Sequence, residues 1–230
     1  EYDIKSKIQV QTKHVLQEQS LRSFDLDYRT GRKTQLIAAK YKARYTENAT
    51  SLYNYGSENS SGERHELEGK FSWTPDVQSL IGALYEERRR DIEYNALATE
   101  YWLAIRPYTE LSYVISPKQK VKLHIKYSSI EDRALDQQYT EAYIQADHSL
   151  RIKRRGRLDQ KLSLSQIDAS VVGIPYSIFA GRQPGNNWKY TTNARYAFSN
   201  SFQITLNYSL QKRGDAEAEQ YMRLEGKTHF

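Results

Sequence analysis

The sequence predicts an all-β fold, a transmembrane antiparallel up-and-down β-barrel of about twelve strands. Three observations carry that expectation. Apolar and polar residues alternate with period two along most of the 230 residues, short links between these runs take turns with longer ones, and aromatic residues gather near the ends of the runs.

The alternation is plainest towards the end of the chain. Phe202, Ile204, Leu206, Tyr208 and Leu210 fall on one face of an extended segment, and Gln203, Thr205, Asn207, Ser209 and Gln211 on the other. Val121, Leu123, Ile125 and Tyr127 alternate in the same way with Lys120, Lys122, His124 and Lys126. Trp188, Tyr190, Ala194, Tyr196 and Phe198 oppose Lys189, Asn193 and Arg195, and Tyr101, Leu103, Ile105, Leu111, Tyr113 and Ile115 oppose Arg106, Glu110 and Ser112. Successive side chains of a strand point to opposite faces, so each run has one face suited to lipid and one suited to water. All such runs together place strands near 6–16, 22–30, 33–46, 64–74, 77–86, 99–115, 119–128, 139–153, 157–178, 188–198, 202–211 and 220–230.

The links sort into two kinds. Thr30-Gly31-Arg32, Thr74-Pro75-Asp76, Ser116-Pro117-Lys118, Arg154-Arg155-Gly156 and Ser199-Asn200-Ser201 are built from residues that favour tight turns. Between them lie longer polar stretches at 47–63, 87–98, 129–138, 179–187 and 212–219. Barrels of the bacterial envelope join their strands by short periplasmic turns and longer extracellular loops, and a β-sandwich has no reason to alternate its links in this way. Phe71, Trp73, Tyr113, Tyr196, Phe198 and Phe202 then fall at one rim, and Tyr45, Tyr101, Tyr127, Tyr176, Trp188, Tyr190 and Tyr208 nearer the other. Two such girdles suit rings that sit at a membrane interface with an apolar body and a wet polar tip.

Composition narrows the field further. A charged fraction of 27% and a mean hydropathy of −0.82 would fit a soluble or partly disordered chain, but 19 Tyr, 6 Phe and 3 Trp demand a packed fold. No run approaches the roughly 18 apolar residues of a membrane-spanning helix. Strands tolerate a low average, because only every second residue meets lipid. Without cysteine there are no disulfides, thiolate metal sites or Cys nucleophiles. The start at Glu1 suits a mature chain after leader removal or the C-terminal part of a larger barrel, and 1–230 is read as a single domain.

At the C-terminus Met222, Leu224, Gly226, Thr228 and Phe230 share one face. This resembles the terminal strand of bacterial outer-membrane β-barrel proteins, the porin-like superfamily. The resemblance implies a Gram-negative outer-membrane location among lipid and lipopolysaccharide, with Met222, Leu224 and Phe230 as the signal read by the barrel-assembly machinery. Enzymatic barrels are not matched. There is no His-x-Ser-Asn-Gly run of the outer-membrane phospholipases, and His148 and the adjacent Ser149 point to opposite strand faces. Nor is there the acidic and Asp–His constellation of the barrel proteases; Asp25 and Asp27 beside Arg29 read as partners in lumen ion pairs.

The predicted lumen carries Lys40, Lys42 and Arg44, then Lys120, Lys122, His124 and Lys126, then Arg151, Lys153 and Arg155, with acids at Asp25, Asp27, Glu66, Glu68, Glu110, Asp147, Asp159 and Glu225. The seven residues Lys120, Lys122, His124, Lys126, Arg151, Lys153 and Arg155 stand on hairpin neighbours. They form a candidate basic wall that would concentrate anions. The net charge of +6 alone does not indicate nucleic-acid binding, since the basic residues alternate with apolar ones instead of forming a compact patch. The five His lie on scattered strands without metal-ligand spacing, and glycine-rich phosphate loops are absent.

The function expected is therefore non-enzymatic and cofactor-free: a passive porin-like channel for small hydrophilic solutes, anions among them, with 47–63 or 179–187 folding inward as a constriction. The alternatives are a closed anchoring barrel with a plugged lumen and a piece of a larger outer-membrane transport or export protein. A soluble all-β fold is the structural alternative.

Overall fold

The computed structural model describes residues 2–12, 17–32, 35–52, 56–92, 100–153, 155–169, 179, 181–199 and 201–228. For 2–12, 17–23, 25, 27, 29–32, 35–37, 49–52, 56–58 and 92 it describes the backbone alone. The strands are β1 (Tyr2–Thr12), β2 (Gln17–Arg32), β3 (Gln35–Leu52), β4 (Gly56–Ser72), β5 (Val77–Ile92) and β6 (Glu100–Ser116). They continue as β7 (Gln119–Asp132), β8 (Gln137–Ile152), β9 (Gly156–Ala169), β10 (Gly185–Ala197), β11 (Phe202–Lys212) and β12 (Glu219–Thr228). Each strand hydrogen-bonds to its neighbours in sequence, so the sheet is an up-and-down meander. The registers of β1–β4 and β9–β12 are antiparallel. Among the described residues the order ends at β1 and β12, without the pairing between them that a closed barrel requires.

Several expectations about links need correcting, among them the turn at Thr30-Gly31-Arg32, whose residues pair with Ile37, Leu36 and Gln35 as part of β2. The polar stretch 47–63 is not a loop: β3 runs to Leu52, β4 starts at Gly56, and the two pair without interruption from Ile37↔Phe71 to Leu52↔Gly56. Asn, Ser and Gly imitate a loop in composition. The backbone ladder holds them in strand all the same, because the interstrand hydrogen bonds are made by the main chain whatever the side chains. The stretch 129–138 likewise shrinks to a turn at 133–136, where the nearly buried Asp132 carboxylate accepts from the backbone N–H groups of Ala134 and Leu135, each at 3.1 Å. A longer link survives at 213–218, and 93–99 lies outside the described residues. Strand β9 ends at Ala169, and positions 170–178 with Tyr176 lie outside the described residues.

The chain divides into two compact units. The first comprises Glu1–Ser72, Leu80–Tyr108 and Ser128–Thr140; the second comprises Trp73–Ser79, Thr109–Tyr127 and Glu141–Phe230. In both, side-chain exposure alternates with period two, and the sense is the reverse of a soluble sheet. In the second unit Leu111 is 46%, Ile125 44% and Leu164 46% exposed, while Ser112, Glu141 and Ser165 on the opposite face are buried. In the first unit Leu67, Ile81 and Ile105 are exposed and Lys42, Glu66 and Arg106 are partly covered. An apolar side chain removed from water is worth about 1.5–3 kcal/mol, so this face is stable only where something other than water covers it. No helix among the described residues is long and apolar enough to cross a membrane.

On the apolar face, polar groups satisfy one another across strands. In the second unit Gln119 Nε2 donates to His148 Nε2 (3.0 Å), and His148 Nδ1 donates to Gln160 Oε1 (3.1 Å). Gln160 Nε2 then donates to the Tyr190 hydroxyl (2.7 Å), which also accepts from Thr192 (2.7 Å). This row crosses β7, β8, β9 and β10. In the first unit the hydroxyl of Tyr101 accepts from Arg133 (2.9 Å) and donates to Glu87 (3.2 Å). The Tyr101 and Glu131 bonds hold the Arg133 guanidinium above its ordinary pKa. Between β10 and β11, Tyr196 meets Phe198 in a T-shaped contact with centroids 5.0 Å apart, and Phe198 lies tilted against Phe202 at 5.8 Å.

Candidate functional site

The polar face of the first unit is a network of matched charges. Register places Lys42 opposite Glu66 and Lys40 opposite Glu68, with Asp25 and Asp27 of β2 opposite the same two lysines. Lys42 Nζ lies 3.1 Å from Glu66 and 3.7 Å from Glu68, Arg64 lies 3.8 Å from Glu66, and Arg106 pairs with Glu86. The Tyr108 hydroxyl, on β6, is shared between Glu68 (2.8 Å) and Glu66 (3.1 Å), two strands away. It reaches them because β5 offers Gly82 in between. A Cβ there would lie 2.6 Å from Tyr108 Cζ and 2.9 Å from the Leu67 carbonyl oxygen, so only glycine lets the ring cross. A small cavity of about 230 Å3 on this unit mixes Arg44, Arg64 and Arg88 with Glu63, Glu86 and Glu87.

The second unit is different. A cavity of about 590 Å3 in it is walled by β8 to β11 and by the segment leading into β10. Its charged lining is Lys161, Arg182, Lys189, Lys212 and Arg213, without a carboxylate. Between these lie uncharged polar groups: Gln145, Ser163, Ser165, Asn187, Thr191 and Gln211. Ser165 Oγ is buried with no hydrogen-bond partner, an unsatisfied group that costs about 1–3 kcal/mol unless something fills the bond.

Local chemistry fixes the segment 179–187 against this wall. Arg182 donates from its backbone N–H (3.2 Å) and its Nε (3.1 Å) to the carbonyl of the buried Phe179. Its Nη2 meets the Glu141 carboxylate at 2.9 Å. Asn187 Nδ2 donates to the carbonyls of Gln183 (2.7 Å) and Gly185 (3.1 Å), while its Oδ1 accepts from the backbone N–H of Gln183 (3.0 Å) and Gly214 (3.2 Å). Gly214 has φ +54°, and a Cβ there would lie 2.6 Å from the Pro184 carbonyl oxygen, so the 213–218 link and the 184–187 segment close on each other through a glycine. Glu141, 1% exposed, also takes Lys126 at 3.0 Å, and both cations lie over the Tyr143 ring, Lys126 at 5.0 Å and Arg182 at 5.2 Å.

The seven residues of the basic wall divide. Lys122, His124 and Lys126 lie on the polar face of β7, where Lys122 pairs with Glu110, His124 stands 3.9 Å from the same carboxylate, and Lys126 takes Glu141. Lys120 is exposed near the start of β7. Arg151, Lys153 and Arg155 are exposed at the β8–β9 turn, with Lys153 at φ +54° and Arg155 donating to the Phe198 carbonyl at 2.9 Å. The cations that share a cavity are instead those of β9, β10, the end of β11, the link that follows it and the 179–187 segment. Sequence reasoning singled out Lys189 only as a polar-face residue and did not weigh Lys161, Arg182, Lys212 or Arg213. Met222 and Leu224 are exposed on β12; Phe230 lies outside the described residues. No group of three or more His, Asp or Glu among the described residues could hold a metal.

No protein-family model matches the chain, and no curated protein matches it. Solved structures similar to it are outer-membrane β-barrels. The β domain of the Bordetella autotransporter BrkA is 9% identical, covers 100% of this chain and 97% of its own, and superposes with a TM-score of 0.44. The NanC porin is 10% identical, with coverages of 94% and 98% and a TM-score of 0.45. The translocator domain of the autotransporter NalP from Neisseria meningitidis is 11% identical, with coverages of 98% and 85% and a TM-score of 0.36.

Proposed function

We propose that the chain closes into an outer-membrane barrel of about twelve strands and acts as a passive, non-enzymatic channel for small hydrophilic solutes, anions in preference. The observation that carries this reading is the inverted sheet: Leu111, Ile125 and Leu164 exposed on one face, and on the other a polar wall with a cavity of about 590 Å3. Lipid covers the first face and water fills the second. The segment 179–187, anchored by Arg182 on Glu141, serves as the constriction. Of the basic wall, Lys122, His124 and Lys126 contribute to the field in the conduit, and Lys120, Arg151, Lys153 and Arg155 to its mouth. Lipopolysaccharide and outer-membrane lipid are the surroundings this reading requires, and the barrel-assembly machinery is the partner that would insert the chain.

The paired charges around Lys42, Glu66 and Tyr108 favour a second reading, a closed scaffold, since a lumen stitched by ion pairs needs no opening. Single-channel conductance of the detergent-refolded chain in planar bilayers, with a salt gradient, separates the two. Stable open steps with a reversal potential on the anion side are expected. Folded but silent protein would overturn the channel in favour of the scaffold.

A further inference from the structure

The cavity of the second unit has a composition that water alone does not require. Five cations line it and none of its lining residues is acidic. The acids nearest to them are spoken for: Glu141 holds Arg182 and Lys126 together, and Asp147, 4.0 Å from Lys161, already accepts from Gln145 at 2.9 and 3.1 Å. Like charges gathered in one concavity repel unless an anion neutralises them. Chloride or a simple carboxylate would do that. It would leave unexplained the hydroxyl and amide groups set between the cations, and above all the buried Ser165 Oγ, which has no partner of its own. The volume, about 590 Å3, is in the range that encloses a small organic ligand and far exceeds a bare ion.

From this we infer that the cavity is a binding site for a small polyhydroxylated anion, with sugar acids as the chemical class. Lys161, Lys189 and Arg182 take the carboxylate, and Ser165 with Gln145, Thr191 and Gln211 takes the hydroxyls. The inference deepens the channel reading and rests on it for the route by which the ligand arrives. In such a conduit a weak, wet site on the path raises the local concentration of one solute class without holding it, as conduction requires.

The test uses the refolded chain in planar bilayers, with D-glucuronate, D-glucose and acetate as probes. Glucuronate should interrupt the current at concentrations on the order of millimolar, and glucose and acetate should each need about tenfold more, because each lacks one half of the recognition. Lys189→Gln should weaken the glucuronate block about tenfold. Ser165→Ala should weaken it several-fold while leaving the ion preference unchanged, an outcome that charge attraction alone would not give. Open channels in which glucuronate blocks no better than acetate, or in which Ser165→Ala changes nothing, overturn the site and leave the channel standing. Folded protein without conductance overturns the channel. Calorimetric titration of that same protein with glucuronate then decides the site: heat of binding lost in Lys189→Gln upholds it, and no heat overturns it.

Discussion

Two polar faces of this chain use their charges in opposite ways. Around β3 to β6, Lys42, Arg64 and Arg106 each meet a carboxylate, and Tyr108 reaches across Gly82 to tie Glu66 and Glu68 together. Around β8 to β11, Lys189, Lys212 and Arg213 line a cavity with no acid in its wall. The first arrangement spends its charge on cohesion, and the second leaves charge facing open space. Basic residues thus have no fixed meaning in a sheet of this kind. Whether they brace or attract depends on what the neighbouring strand places beside them.

The comparison can be pressed hardest at Glu141, the one buried acid of the cationic side among the described residues. Glu141→Gln leaves Lys126 and Arg182 without their shared counter-charge, and a loss of about 3–5 kcal/mol is expected in urea unfolding of the detergent-refolded protein. A loss below 1 kcal/mol would mean that the two cations tolerate each other, and the cavity's lack of acids would lose its significance. On the cohesive side, Tyr108→Phe removes a hydroxyl bound to two carboxylates and should cost about 1.5–3 kcal/mol in the same assay. Gly82→Ala should destabilise as well, and the double variant should cost less than the sum, since both disturb one crossing. Additive costs would show that the ring does not depend on the glycine. The smallest effect on stability, within about 0.5 kcal/mol, belongs to Lys161→Gln combined with Lys189→Gln, which should nonetheless move the reversal potential away from anions. If it unfolds the protein instead, these lysines brace the wall as Lys42 does.

What the sequence revealed divides along the same lines. Strict alternation in β6, β7, β10 and β11 exposes the two faces to inspection, because period two is a local property and needs no knowledge of partners. Strand extent was misread where polar residues continue a ladder beyond the apolar zone, as at 47–63, since backbone pairing leaves no mark in composition. The cavity was out of reach for a different reason. Its cations come from three strands and two links, and only the register and the folding-in of Arg182 bring them together. Conversely, Lys122, His124 and Lys126 looked like an uncompensated row because Glu110 and Glu141, their partners, sit on the flanking strands. Cross-strand pairing is a question of neighbours, and a single strand read alone cannot answer it.

The row from Gln119 through His148 and Gln160 to Tyr190 bears on a problem that alternation leaves open. A strand that slips by one residue turns its apolar face inside out and is rejected at once, but a slip by two preserves every inside and outside position. Against such a slip the faces are blind. A relay that passes one hydrogen bond from strand to strand is not, because displacing any member by two positions sets an aliphatic or mismatched side chain in its place and leaves the next amide or imidazole without its partner on an apolar face. Four residues that look misplaced on a greasy surface therefore act as alignment pins, fixing β7, β8, β9 and β10 at one setting among several that the hydrophobic pattern alone would accept.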